Sequence, residues 1–226
     1  LKSFWQWVED GSAQRVLNTS LPYVTIDAKN LMVAGESWGG YLTAQTALLG
    51  LTSLPIKVLF MQYPALNMTE ITRVEGTSEE MLKTGIWAER VPYSEVEDHL
   101  AGVEKGKLVA RAPFGTRMRL SAGIVQAGKF WDAEKEAAVL CPTRALDSAG
   151  KMPPILLYHS QEDEAVPWQH TEAWAAKLRK LQPDVQLYLS YQKGEHVFDK
   201  NDTMATPWLE GPLEFVQGHW PATNDV

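Results

Sequence analysis

Leu31-Met32-Val33-Ala34-Gly35-Glu36-Ser37-Trp38-Gly39-Gly40-Tyr41-Leu42 is the stretch that decides the fold. Its first four residues are an apolar run of the length of a short buried strand, and Gly35 ends it. From Tyr41 to Leu49 the pattern turns helical, with Leu42, Ala44, Ala47 and Leu48 and few breakers. Ser37 therefore stands at a strand-to-helix junction. A sharp turn there presents a serine hydroxyl to a substrate, and small residues on both sides let the backbone make it. Gly35 and Gly39 occupy the positions such a turn needs, and Gly40 adds room for the helix to pack on the strand. The five-residue pattern alone is weak, because chance supplies about 0.1 matches in a chain of this length at ordinary residue usage. A glycine-rich turn with a helix-capping serine would read the same way. Its place between strand and helix gives it weight.

Outward from this run, Phe4, Trp5, Trp7, Val8, Val16 and Leu17 predict a helix over 2–18, with Gly11 as the point where it would break. Residues 21–30 read as a loop around Pro22. Pro55 opens a second strand, Ile56 to Met61, and Pro153-Pro154 introduce a third, Ile155 to Tyr158. An amphipathic helix follows over 168–181, with Trp174, Leu178 and Leu181 on one face and Lys177, Arg179 and Lys180 on another. Val185 to Tyr191 alternates as a fourth strand, and 208–220 predict a closing helix. Residues 66–145 are mixed and polar, with short helices expected at 78–83, 94–101 and 117–130, and read as a lid-like insertion over a sheet. Strands alternating with helices predict an α/β fold, a mostly parallel sheet flanked by helices, in one catalytic domain over 1–226. In such sheets reactive residues gather at the C-terminal strand ends. That selects Ser37, the segment after Tyr158 and the segment after Tyr191.

Composition narrows the partners. The chain has 226 residues, 45% of them apolar, enough for a sizeable core. A formal net charge of -7 repels phosphate backbones, which argues against nucleic acid. Cys141 is the only cysteine, so neither an internal disulfide nor a cysteine-built zinc site is expected. No apolar run approaches the ~18 residues of a membrane span. Leu1 to Asp10 lacks the basic start and apolar stretch of a signal peptide, and the expectation is a cytoplasmic protein.

A serine hydroxyl is a poor nucleophile without a base, and the base needs an orienting group. The acid is expected in His159-Ser160-Gln161-Glu162-Asp163-Glu164-Ala165-Val166-Pro167. Asp163 is the candidate, four residues from both His159 and Pro167. Glu162 and Glu164 flank it and are expected to point elsewhere. The base is expected in Gly194-Glu195-His196-Val197-Phe198, where Gly194 takes the bend and Val197 and Phe198 anchor the loop. A solvated acidic loop and a surface histidine are the plainer readings of these segments. His159 reads as a structural strand-end histidine; His99, His170 and His219 are placed worse. His159, Asp163 and His170 lack any regular metal-ligand spacing, so neither metal nor cofactor is expected. The order Ser37, Asp163, His196 is that of α/β-hydrolases.

The run from Gly35 to Leu42, the Asp163 loop and the Gly194 to Phe198 loop resemble hormone-sensitive-lipase-like "fold-3" esterases. Leu120 to Gln126 and the stretch from Thr206 through Trp220 resemble fungal members. The resemblance implies cleavage of small-molecule carboxylic esters through an acyl-enzyme, without cofactor. It also implies that the Trp38 backbone N–H serves the oxyanion. Two features depart from it. Trp38 stands where the family usually has alanine, and an aromatic there is also similar to prolyl-oligopeptidase-like serine peptidases. No His-Gly-Gly type oxyanion loop occurs in residues 1–30, so an N-terminally incomplete hydrolase, weak or inactive alone, is expected. Trp87, Phe114, Phe130 and Trp131 are candidate lining of the acyl pocket, or ordinary core.

Overall fold

The computed structural model describes residues 1–67, 89–104, 106, 117–127 and 139–220. The chain forms two compact units, Leu1–Leu66 with Val139–Val226, and Asn67–Ala138.

The larger unit begins with two short helices, α1 (Lys2–Glu9) and α2 (Ser12–Ser20). The single helix expected over 2–18 is broken at Gly11, whose φ of 77° is left-handed. Strand β1 (Leu31–Glu36) leads through Ser37 into α3 (Trp38–Leu48), and β2 (Ile56–Gln62) follows. Helix α3 buries residues on most of its circumference, from Tyr41 to Leu48, as a helix seated against a sheet does. It packs on β1 and β2.

The smaller unit contributes α4 (Tyr93–Ala101) and α5 (Met118–Gln126) among its described residues. These match the helices expected at 94–101 and 117–130, the second ending earlier. The expected helix at 78–83 lies outside the described residues. Helices α4 and α5 pack closely: a Cβ on Gly123 would lie 2.9 Å from a Val96 methyl. Arg119 pairs with Glu89 and Glu95 across this small unit.

The chain then re-enters the larger unit through the one-turn helix α6 (Pro142–Ala145). Ala145 joins that unit's core, so the last residues of the expected 66–145 insertion belong to the sheet's own packing. Strand β3 (Ile155–Ser160), helix α7 (Trp168–Leu181), strand β4 (Leu187–Gln192) and helix α8 (Glu210–His219) complete it.

The four strands form one parallel sheet in the order β1-β2-β3-β4. Side chains alternate across it, so register decides which residues share a face. Leu59 lies beside Ile155 and Met61 beside Leu157, and these four enter the main core. Ala44 and Leu48 of α3 and Trp174, Ala175 and Leu178 of α7 close that core. On α7 the buried stripe is Thr171, Trp174, Ala175 and Leu178. Leu181, expected on the same face, is exposed in the last turn. Phe60 beside Leu156 and Gln62 beside Tyr158 point to the other face, where α8 packs.

Strand β3 is buried at all six positions because it has a neighbour on each side and a layer on each face. Strand β4 is half-buried throughout. The alternation read over Val185 to Tyr191 does not become an alternation of burial. No helix among the described residues is long and apolar enough to cross a membrane.

Candidate active site

Parallel pairing brings the C-terminal ends of β1, β3 and β4 to one edge of the sheet, and the three predicted residues meet there. His196 Nε2 lies 3.0 Å from Ser37 Oγ, and His196 Nδ1 lies 2.7 Å from Asp163 Oδ2. A carboxylate only accepts, so Nδ1 carries the proton and Nε2 accepts from the serine hydroxyl. This is the geometry of a nucleophile, its base and the group that orients the base.

Ser37 owes its presentation to strain. Its φ of 52° and ψ of -116° lie where side-chain-bearing residues rarely go, at a cost of about 1–3 kcal/mol. The turn closes because Gly35 has no side chain: a Cβ there would sit 2.3 Å from the Gly39 carbonyl oxygen. Gly40 meets Pro64, where an added Cβ would come within 2.7 Å. Gly39, read from the sequence as a steric requirement, has open space around the position of a Cβ. The close approach is to its carbonyl. The backbone latches the elbow: Ser37 N–H donates to the Gln62 carbonyl at 2.9 Å, and Ala65 N–H donates to the Ser37 carbonyl at 3.3 Å. Trp38 opens α3, where backbone N–H groups point outward along the axis and favour negative charge. Its indole meets the Tyr41 ring edge-on.

The Asp163 side chain is fully buried. Its Oδ1 accepts from the Ala165 and Val166 backbone N–H groups at 2.9 and 2.7 Å. Burial alone would push this carboxyl up. The close approach of His159, the hydrogen bond and charge of His196, and the Val166 N–H outweigh burial and hold it well below the usual carboxylate range.

Glu162 and Glu164 do not point elsewhere. Glu162 accepts from the Gly194 N–H and Glu164 from the His196 N–H, each at 2.8 Å. All three consecutive carboxylates thus grip the loop that carries His196. The Ser160 hydroxyl adds a bond to the Gly194 carbonyl. Gly194 takes the bend, at φ 113°, and Val197 is held at φ 63°, strained for a β-branched residue.

A second support was invisible in the sequence. Asp199, three residues past His196, accepts from Tyr158 at 2.6 Å, Gln62 at 2.8 Å and Tyr63 at 3.0 Å. The Tyr63 hydroxyl also reaches Glu36 at 2.9 Å, and its ring packs edge-on against the His196 imidazole at 4.9 Å. Burial and the neighbouring carboxylates push the Tyr63 and Tyr158 hydroxyls far up, so both stay protonated donors. Phe198 packs against both tyrosines, as its predicted anchoring role requires. Trp87, Phe114, Phe130 and Trp131 lie outside the described residues.

A parallel sheet with flanking helices and a strained serine elbow is the α/β-hydrolase fold, and fold and site together are those of a serine hydrolase of that superfamily. The comparisons agree. The prolyl oligopeptidase family profile matches residues 116–222, just under half of the chain. A probable carboxylesterase from Phoma sp. is 24% identical over 97% of this chain and 68% of its own length. Acylaminoacyl peptidase from Pyrococcus horikoshii superposes with a TM-score of 0.56 at 14% identity, over 95% of this chain. Esterase B from Lactobacillus rhamnosis does so with a TM-score of 0.53 at 13% identity, over 92% of this chain. The chain spans 27% of the length of the peptidase and 57% of that of the esterase.

Proposed function

We propose that the chain hydrolyses carboxylic esters of small molecules, with Ser37 as nucleophile, His196 as general base and Asp163 as the group that orients His196. The observation that carries this reading is the unbroken hydrogen-bond chain from Ser37 Oγ through His196 to Asp163 Oδ2, at 3.0 and 2.7 Å. Ser37 attacks the ester carbonyl while Nε2 takes its proton. The tetrahedral oxyanion develops beside the α3 N-terminus, where the Trp38 N–H donates to it. His196 returns the proton to the leaving alcohol, which departs and leaves an acyl-serine. It then removes a proton from the water that frees the acid. Asp163 stays ionised and stabilises the imidazolium in both steps.

Likeness to the Phoma carboxylesterase over nearly the whole chain supports ester over amide. The Gly35 to Leu42 run supports a relationship to the hormone-sensitive-lipase-like esterases within the superfamily. The profile match over 116–222 favours a second reading, a serine peptidase acting on amides. One experiment addresses both. A fluorophosphonate probe should label the wild-type protein and spare Ser37→Ala, and p-nitrophenyl butyrate should turn over faster than a prolyl-peptide amide. Faster amide cleavage would select the peptidase reading. A folded wild-type protein that is neither labelled nor active would leave a binding module in a hydrolase fold.

A further inference from the structure

Tyr63 stands where the two halves of the site meet. Glu36 and Gln62 end β1 and β2 side by side, so Ser37 and Tyr63 are the next residues on neighbouring strands. The turn after β2 holds the nucleophile by its backbone. The Gln62 carbonyl accepts from the Ser37 N–H, and the Ala65 N–H donates to the Ser37 carbonyl. The Tyr63 N–H fastens the turn to the Tyr158 carbonyl of β3, at 2.8 Å. The same turn reaches the His196 loop by its side chains. Gln62 and Tyr63 donate to Asp199, at 2.8 and 3.0 Å, and the Tyr63 ring lies edge-on to the His196 imidazole at 4.9 Å.

Three features set Tyr63 apart. It is completely buried. Its φ of 37° is left-handed, an outlier for a bulky residue. Such strain persists only where the surroundings over-determine it, and it gathers at functional sites. Its hydroxyl lies between two carboxylates from opposite parts of the site. Glu36 Oε2, 2.9 Å away, is one residue before Ser37, and Asp199 Oδ1, 3.0 Å away, is three residues after His196. One proton serves two acceptors at nearly equal distance, so the hydroxyl is held between them. Bonds to ionised acceptors are the stronger kind. Without the hydroxyl, Asp199 keeps Tyr158 and Gln62, but the tie from Asp199 to Glu36 is gone. Two like charges then face each other with no donor between them, which favours their separation.

We infer that Tyr63 is a positioning residue that sets the separation of Ser37 and His196. Its turn fixes Ser37 through backbone bonds, its hydroxyl ties the end of β1 to the His196 loop, and its ring backs the imidazole. The effect on turnover rests on the ester-hydrolase reading; the effect on where the His196 ring sits does not.

The test uses Tyr63→Phe, Glu36→Ala, their double variant and Tyr158→Phe in the full chain. Y63F removes the hydroxyl and keeps the ring. E36A breaks the same tie from its exposed end, and carries the test if Y63F does not fold. Y158F takes a donor from Asp199 too, but from β3 rather than from the turn that latches Ser37. Two readouts are taken: p-nitrophenyl butyrate kinetics, and the nuclear Overhauser contact between the ring at position 63 and the His196 imidazole. Y63F should lower kcat roughly 10-fold with KM little changed, a part of the ~10²-fold that a displacement of about 1 Å costs. Its Overhauser contact should weaken. E36A should show a similar loss, and the double variant scarcely more than Y63F, because both break one bridge. Y158F should lower kcat less and leave the contact intact. Wild-type turnover and contact in folded Y63F, or in E36A where Y63F does not fold, would overturn the assignment. So would equal losses in Y63F and Y158F, which would mean support of Asp199 alone, or additive losses in the double variant. A wild-type protein that resists the fluorophosphonate probe and cleaves no ester would sink the hydrolase reading, and the Overhauser contact would then decide this one.

Discussion

The elbow that holds Ser37 and the loop that holds His196 solve one problem with different materials. The elbow is made of backbone. Its tight turn depends on the missing Gly35 side chain, and peptide groups of Gln62 and Ala65 latch it. The His196 loop is held by side chains. Glu162 and Glu164 grip its N–H groups from one side, and Asp199 anchors it from the other. A backbone device is indifferent to charge but intolerant of an added atom at its points of closest approach, Gly35 and Gly40. A side-chain device tolerates changes of shape and depends on each carboxylate.

This contrast sets the expected order of effects. Ser37→Ala and His196→Ala should each lower kcat by about 10⁶, and the double variant by scarcely more, because the residues act as a unit. Ester turnover with matched circular dichroism checks this. Additive losses would break the unit.

Gly35→Ala comes next. Its Cβ would fall on the Gly39 carbonyl, so the turn must open and shift Ser37. A loss of about 1–3 kcal/mol in stability and roughly 10²-fold in kcat is expected. Gly39→Ala, with open space around it, should cost no stability. Equal unfolding midpoints for these two variants would show that the elbow is not the steric device described.

Glu164→Ala should lower kcat about ten-fold, by removing a charged acceptor from the His196 N–H. Glu162→Ala, on a more exposed residue, should lower it less. Both should leave the unfolding midpoint nearly unchanged. A larger loss of stability than of turnover would mean that the clamp holds the fold rather than the base.

The smallest effect concerns acid. The Asp163 carboxyl is held below its ordinary value in the folded chain. Its stabilisation is therefore present at neutral pH and is lost as pH falls below the ordinary carboxylate value of about 3.9. Asp163→Asn should be less stable than wild type at pH 7, and the gap should narrow on acidification below about pH 4. Denaturation midpoints at stepped pH measure it, and a constant gap would mean that the carboxylate's charge contributes nothing.

The same contrast explains what could be read in advance. Local pattern was enough for the four strands, for α3 and α7, and for Ser37, because an elbow is encoded within a few residues. Asp163 and His196 were legible because their loops follow recognised strands. Glu162 and Glu164 were read as pointing away because they flank an inward Asp163, and their partners, the Gly194 and His196 N–H groups, lie 32 positions on. Asp199 and Tyr63 carried no local signal at all: their bond spans 136 positions, and nothing in Phe198-Asp199-Lys200 marks an anchor.

Ser37 and His196 are 159 positions apart and touch only when β1, β3 and β4 are assembled. On the proposed reading of Ser37 as nucleophile, its reactivity is therefore a thermometer of the fold. In urea, the rate at which a fluorophosphonate consumes Ser37 reports the population with the sheet intact, and its midpoint can be set beside that of the far-ultraviolet signal. Labelling that vanishes before the sheet does would reveal the His196 loop letting go first, at the carboxylates that hold it.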